Sequence, residues 1–162
     1  MDPGGIHSAL FSCPGGPQKA LPTALTNNYR RPYPKREMSI RIFIIDEHRS
    51  ARQMLARRLA SLPDMDVVGT TCDGEAGLLQ IEKLRPDIVL LDTKMKRADG
   101  MDICRRACAN ANGGKIAVLT SYVDPEERRL AYQAGVHGYL VKEVDTPNLA
   151  RWIAVLGSRP SE

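Results

Sequence analysis

The sequence predicts an α/β protein: a doubly wound, three-layer (βα)5 fold in which a five-stranded parallel sheet lies between two layers of helices. Three observations predict it. From Ser39 onward, short apolar runs alternate with stretches of helical periodicity, the signature of βαβ units. The runs are continuously apolar, as strands buried on both faces must be. Each then stops at polar residues: Asp46 and Glu47 follow Ile40 to Ile45, Asp92 follows Ile88 to Leu91, Thr120 follows Ile116 to Leu119, and Lys142 follows Tyr139 to Val141. Open α/β sheets bind ligands at the carboxyl ends of their strands, so these residues are expected to converge on one site.

After the first strand, a helix is expected from about Ser50 to Leu62, with Leu55, Leu59 and Leu62 on one face and Arg52, Arg57 and Arg58 mostly elsewhere. Pro63 ends it. Those arginines suit either a solvated face or a partner. The second strand is Asp66 to Thr70, the second helix Gly74 to Leu84, the third strand Asp87 to Leu91, the third helix Met101 to Ala109, and the fourth strand Lys115 to Thr120. Asp124 before Pro125 and Glu126 reads as an N-cap with Pro in the first turn, opening a fourth helix that ends near Gly135. The fifth strand is His137 to Val141. Thr146 before Pro147 is expected to cap the fifth helix, where Leu149, Trp152, Ile153 and Leu156 form a core stripe.

The 162 residues amount to one domain's worth of chain, enough for a core without disulfides or a structural metal. Composition divides it. Residues 1–37 hold six of the 11 Pro and four of the 13 Gly, a share within the roughly 25–30% band that marks disorder. A disordered Pro/Gly-rich N-terminal extension is therefore expected over residues 1–37, a folded domain over 38–157 and a short tail over 158–162; Met38 offers a second start. Lys19, Arg30, Arg31, Lys35 and Arg36 against Asp2 and Glu37 place +3 of the net +4 in the extension. The basic balance is thus a weak argument for nucleic-acid binding by the domain, and the cluster Tyr29 to Arg36 reads as a solvated tail.

No apolar stretch reaches the roughly 18 residues of a membrane span and no signal-peptide core is present, so a cytoplasmic protein without a membrane partner is expected. Cys13, Cys72, Cys104 and Cys108 form no CxxC pair, which argues against zinc; Cys104 and Cys108 read as small core residues of the third helix. His48 reads as a surface residue at a helix entry, and His137 as a surface residue at a strand start.

Three carboxylates brought together repel: two charges ~4 Å apart cost about 4 kcal/mol at an effective dielectric near 20. A dication or a shared proton resolves that. Oxygen ligation from Asp46, Glu47 and Asp92 suits Mg²⁺, which keeps waters and bridges carboxylate to phosphate. Lys142 and Thr120 facing that metal make sense as phosphoryl-oxygen partners, a point charge and a directional donor. The pocket reads as one built for a phosphoryl group on a carboxylate.

The stretches "IRIFIIDEH", "RPDIVLLDTKM", "DGMDICRR", "IAVLTSY" and "AGVHGYLVKE" stand in this order between Ser39 and about Gly157. Together they resemble the response-regulator receiver family of two-component signalling. "LTSY" and "GYLVKE" look most like its LuxR/NarL-type branch. The resemblance implies a flavodoxin-like fold with Asp92 as phosphoacceptor, Mg²⁺ held by Asp46, Glu47, Asp92 and the Lys94 backbone carbonyl, Thr120 on the phosphoryl oxygen, Lys142 paired with it, and Tyr139 as an aromatic switch that turns inward. It further implies a sensor histidine kinase as phosphodonor, and a face of the fourth helix, fifth strand and fifth helix that controls homodimerisation or output.

Two residues depart from the family's commonest form. Glu47 stands where an Asp more often meets the metal, and Lys96 replaces a Pro that would fix the loop after the acceptor. The branch also carries a C-terminal helix-turn-helix domain, whereas this chain ends about five residues past the fifth helix; DNA binding is therefore expected only through an output domain absent from this chain. A competing reading is a phosphatase of the haloacid dehalogenase type, but such enzymes need an Asp two residues after the nucleophile, where Lys94 stands. Turnover of external esters is not expected. A third reading is an atypical receiver that works by protein contact without phosphorylation.

Overall fold

A computed structural model describes residues 39–158. The expectations for residues 1–37, and all but the first residue of the expected tail 158–162, lie outside the described residues. Elements alternate strictly: β1 Ile40–Ile45, α1 Arg49–Ala60, β2 Met65–Thr71, α2 Gly74–Leu84, β3 Ile88–Leu91, α3 Gly100–Ala109, β4 Lys115–Thr120, α4 Pro125–Ala134, β5 Gly138–Val141 and α5 Thr146–Gly157. The five strands form one parallel sheet in the order β2-β1-β3-β4-β5. This is the doubly wound α/β fold that the alternation predicted, and the order reverses at β1, whose neighbour β3 is followed directly by Asp92.

Period-two alternation sends successive strand residues to opposite faces, which explains the two cores. Phe43, Ile45, Val89, Leu91, Ile116 and Val118 pack with α2, α3 and α4. Ile42, Ile44, Ile88, Leu90, Ala117 and Leu119 pack with Leu55 and Leu59 of α1 and Leu149 and Ile153 of α5. Cys104 is fully buried in the first core and Cys108 packs at its edge, as expected. Among the described residues no helix is long and apolar enough to cross a membrane.

The differences from expectation are local. α1 stops at Ala60, two residues early: Ser61 turns its hydroxyl onto the Arg58 carbonyl (2.7 Å), and Leu62, preceding Pro63, is biased away from helical backbone. β2 is longer by a residue at each end and carries a bulge, since Val67 pairs with Ile42 while Gly69 pairs with Phe43. The cap of α5 is Asp145, not Thr146. Its carboxylate accepts the Asn148 amide (2.8 Å), while the Thr146 hydroxyl accepts from Arg58 Nε (2.9 Å). The Arg52 placement is overturned: Arg52, Leu55 and Leu59 all lie on the buried face of α1.

Candidate functional site

Asp46, Asp92 and Thr120 are buried because each ends or directly follows a central strand whose backbone pairing persists: the Asp46 amide donates to Thr71 O, Asp92 to Ile45 O and Lys142 to Thr120 O. The sheet therefore holds four site residues in fixed relation. Lys142 Nζ donates to Asp46 Oδ2 and to Asp92 Oδ2, both at 2.7 Å. Burial alone would lower the pKa of this amine, but its bonds and charge interactions with the two carboxylates prevail and hold it above its ordinary value. The Asp92 and Asp46 side chains are 1% and 3% exposed and share this one ammonium.

The two carboxylates are held from the backbone as well. His48 N donates to Asp46 Oδ1 (2.8 Å) and Lys94 N to Asp92 Oδ1 (2.9 Å). Arg52 Nη1 reaches from α1 to the Asp46 carbonyl at 2.5 Å, and burial pulls its pKa down against the raising effect of Asp46. The other four helices start on an Asp that caps them, whereas α1 starts on His48 with no side-chain cap. The His48 ring turns to the site instead, with Nδ1 3.3 Å from Asp92 Oδ2 and 3.4 Å from Asp46 Oδ1, although half of the side chain is exposed. A surface position was the expectation; the ring also borders the site.

Glu47 does not join this cluster. Its Oε2 accepts the loop amides of Lys96 (2.5 Å) and Arg97 (3.3 Å). The extra methylene carries the carboxylate past the pocket to the loop, where it occupies an amide that the more usual Pro would lack. Asp46, His48 and Asp92 each offer one ligand atom, all within 4.8 Å of one another, so this is the pocket that could bind a metal.

On the other side of Asp92 the contacts are mostly hydroxyls. Thr120 Oγ1 donates to the Tyr122 carbonyl (3.1 Å). Tyr139 lies inward, 7% exposed, and donates to Glu127 Oε1 (2.8 Å); burial, then this bond, holds its phenol above the usual pKa. Thr93 Oγ1 donates to the same Glu127 oxygen (2.7 Å), and Lys94 Nζ meets Glu127 Oε2 at 2.5 Å while lying over the Tyr122 ring. That bond to Glu127 raises the Lys94 pKa. The loop is packed tightly, since a Cβ at Gly100 would stand 2.0 Å from the Thr93 carbonyl.

Arg52 and Glu127 escaped the sequence reading for different reasons. Arg52 stands at i, and Leu55 and Leu59 at i+3 and i+7, so the apolar stripe itself pointed to it. Glu127 had no such signal: two consecutive glutamates fill the first turn of α4, and nothing in their order says which faces inward.

Residues 42–154 match the response regulator receiver domain family, and the chain belongs to it. Within that family its relatives are of the LuxR/NarL type. The transcriptional regulatory protein LiaR of Bacillus subtilis is 34% identical over 111 residues, which cover 68% of this chain and 53% of LiaR. The structure of a two-component response regulator of the LuxR family from Aurantimonas sp. SI85-9A1 superposes with a TM-score of 0.67 at 25% identity, over 75% of this chain and 87% of that one. The signal receiver domain of NarL from Mycobacterium tuberculosis shares the fold, with a TM-score of 0.68 at 24% identity over 74% of this chain and 96% of that one. The chain spans about half the length of the curated relatives it matches.

Proposed function

We propose that this chain is a phosphorylation-controlled switch that takes a phosphoryl group onto Asp92 from the phosphohistidine of a sensor histidine kinase. One observation carries the reading: in a member of the receiver family, a single lysine, Lys142, bridges two buried carboxylates at 2.7 Å each. An oxygen of Asp92 would form a bond to phosphorus as the donor's P–N bond breaks. Lys142 would follow the new phosphoryl oxygens, and Thr120 would exchange the Tyr122 carbonyl for one of them. Tyr139 acts as the aromatic that reports the change to the face of α4, β5 and α5, and so controls homodimerisation or output.

The donor set fits a hard dication. Asp46 and Asp92 supply buried carboxylate oxygens, the chemistry that Mg²⁺ selects, and they would hold the ion. Bound there, Mg²⁺ supplies charge that offsets the repulsion between the incoming phosphoryl group and the carboxylates. Glu47 and the Lys94 carbonyl complete the proposed ligands, and Glu47 must release the Lys96 and Arg97 amides to take part. The chain would act in the cytoplasm as a signalling domain without turnover of its own, and any DNA binding would belong to a separate output domain.

Intact-mass measurement after incubation with acetyl phosphate and Mg²⁺ tests this. One phosphoryl adduct, dependent on Mg²⁺ and absent from Asp92→Ala, is the expected result. No adduct, under conditions that label a known receiver, would overturn it in favour of an atypical receiver that works by contact without phosphorylation.

A further inference from the structure

We propose that Glu127 is a positioning residue of the site: one carboxylate of α4 that holds the Tyr139 ring inward before any phosphoryl group arrives, and ties it to the two residues that follow Asp92. The proposal rests on the receiver reading above. Three donors from two segments far apart in the chain meet on this side chain. Thr93 Oγ1 (2.7 Å) and Lys94 Nζ (2.5 Å) come from the loop after β3, and the Tyr139 hydroxyl (2.8 Å) from β5. The carboxylate they share is 10% exposed. Its neighbour Glu126 is 65% exposed and pairs with Arg129 on its own helix, so the inward role falls on one of two adjacent glutamates.

The energetic context gives the contact its weight. α4 buries only Ala131, so apolar packing does little to fix its first turn against the sheet. Hydrogen bonds to an ionised acceptor are about twice as strong as neutral ones, and three converge here. Without the carboxylate, the buried Tyr139 hydroxyl keeps the long approach of the Asp124 amide (3.5 Å) and the neighbouring Thr120 hydroxyl but loses its one ionised acceptor, and water outside competes with what is left. An outward ring is then more populated. If the inward ring accompanies the phosphorylated state, the rate of phosphorylation scales with the fraction of chains already inward.

The full 162-residue chain, labelled with 3-fluorotyrosine, allows two readouts at once. The fluorine resonance of Tyr139, assigned by its loss in Tyr139→Phe, is expected to gain a solvent isotope shift in Glu127→Ala and to stay shielded in Glu126→Ala. Adduct formation from acetyl phosphate and Mg²⁺ is expected to slow about fivefold in Glu127→Ala, the effect of losing roughly one net hydrogen bond. It should slow similarly in Tyr139→Phe, and no further in the double variant. Glu127→Gln keeps an acceptor oxygen of the same reach and is expected to restore the shielded resonance and the rate, which guards against a misfolded alanine variant. A resonance that stays shielded in Glu127→Ala, an unchanged or faster adduct rate, or multiplying effects in the double variant would overturn the proposal. If the unsubstituted chain gives no adduct while the resonance still moves in Glu127→Ala, the receiver reading fails and the tie between Glu127 and Tyr139 stands.

Discussion

The two flanks of Asp92 are built from different materials. Toward β1 and α1, the contacts are charges largely withdrawn from water: Lys142 between Asp46 and Asp92, and Arg52 on the Asp46 carbonyl, with the half-exposed His48 ring beside both carboxylates. Toward β4 and α4, hydroxyls predominate: Thr120 on the Tyr122 carbonyl, and Tyr139 and Thr93 on Glu127, beside the part-exposed pair of Lys94 with that carboxylate. Removing one member of a buried charge set leaves the others uncompensated, which is costly. Losing one neutral hydrogen bond costs far less. In the switch proposed above, the buried charge set would be the fixed centre and the hydroxyl flank the movable neighbour.

The largest test of this contrast is Lys142→Met. It strands two buried carboxylates, and a loss of about 3–5 kcal/mol in urea unfolding is expected at neutral pH. The sign of the pH dependence follows from the raised pKa of Lys142. A folded-state value above the unfolded 10.5 gives a contribution that is complete below about pH 10.5 and fades as pH rises through the folded value, so the two stability curves should converge only in strong alkali. Mg²⁺ should stabilise Lys142→Met more than the unsubstituted chain, because the stranded carboxylates lack their cation. Equal Mg²⁺ shifts in the two proteins would sink the idea of a charge-saturated flank.

Arg52→Leu comes next, at about 1.5–3 kcal/mol for a hydrogen bond to a charged donor. Thr120→Val on the other flank removes a neutral hydroxyl-to-carbonyl bond (3.1 Å) and should cost about 1 kcal/mol, measured in the same way. A Thr120 effect as large as that of Arg52 would remove the contrast. Smallest is His137, remote from the site, whose pKa is lowered by burial and then by Lys115, while its Nδ1 accepts the Ile116 amide. A lowered folded value gives stability that is present above the unfolded 6.5 and lost as pH falls through the folded one. His137→Gln should therefore flatten the unfolding midpoint only below about pH 6.5.

What the sequence made legible follows the same division. Asp46, Asp92, Thr120 and Lys142 could be found because each is adjacent to an apolar run, and a parallel strand buried on both faces has one end where a polar side chain can go. Side-chain direction beyond that point was not legible. Adjacent Asp46 and Glu47 differ by one methylene, yet one enters the pocket and the other reaches the loop amides. Asp145 and Thr146 are both good caps, and the choice was made by Arg58, 88 residues from Thr146, which engages the threonine hydroxyl. Glu127 faces inward because Thr93, Lys94 and Tyr139 meet it there, and no local pattern encodes that meeting.

The bond between Lys142 and Asp46 joins residues 96 apart in the chain. During synthesis, β1 and β3 emerge long before β5, and parallel pairings of this span form late because their loops must close first. A nascent chain that stops before β5 carries Asp46 and Asp92 without the ammonium that reconciles them, and without the strand that brings it. The pocket around Asp46 and Asp92 is therefore a product of completed folding. On the function proposed above, a ribosome-bound chain halted before residue 138 should be inert to acetyl phosphate, and only a finished domain would carry a signal.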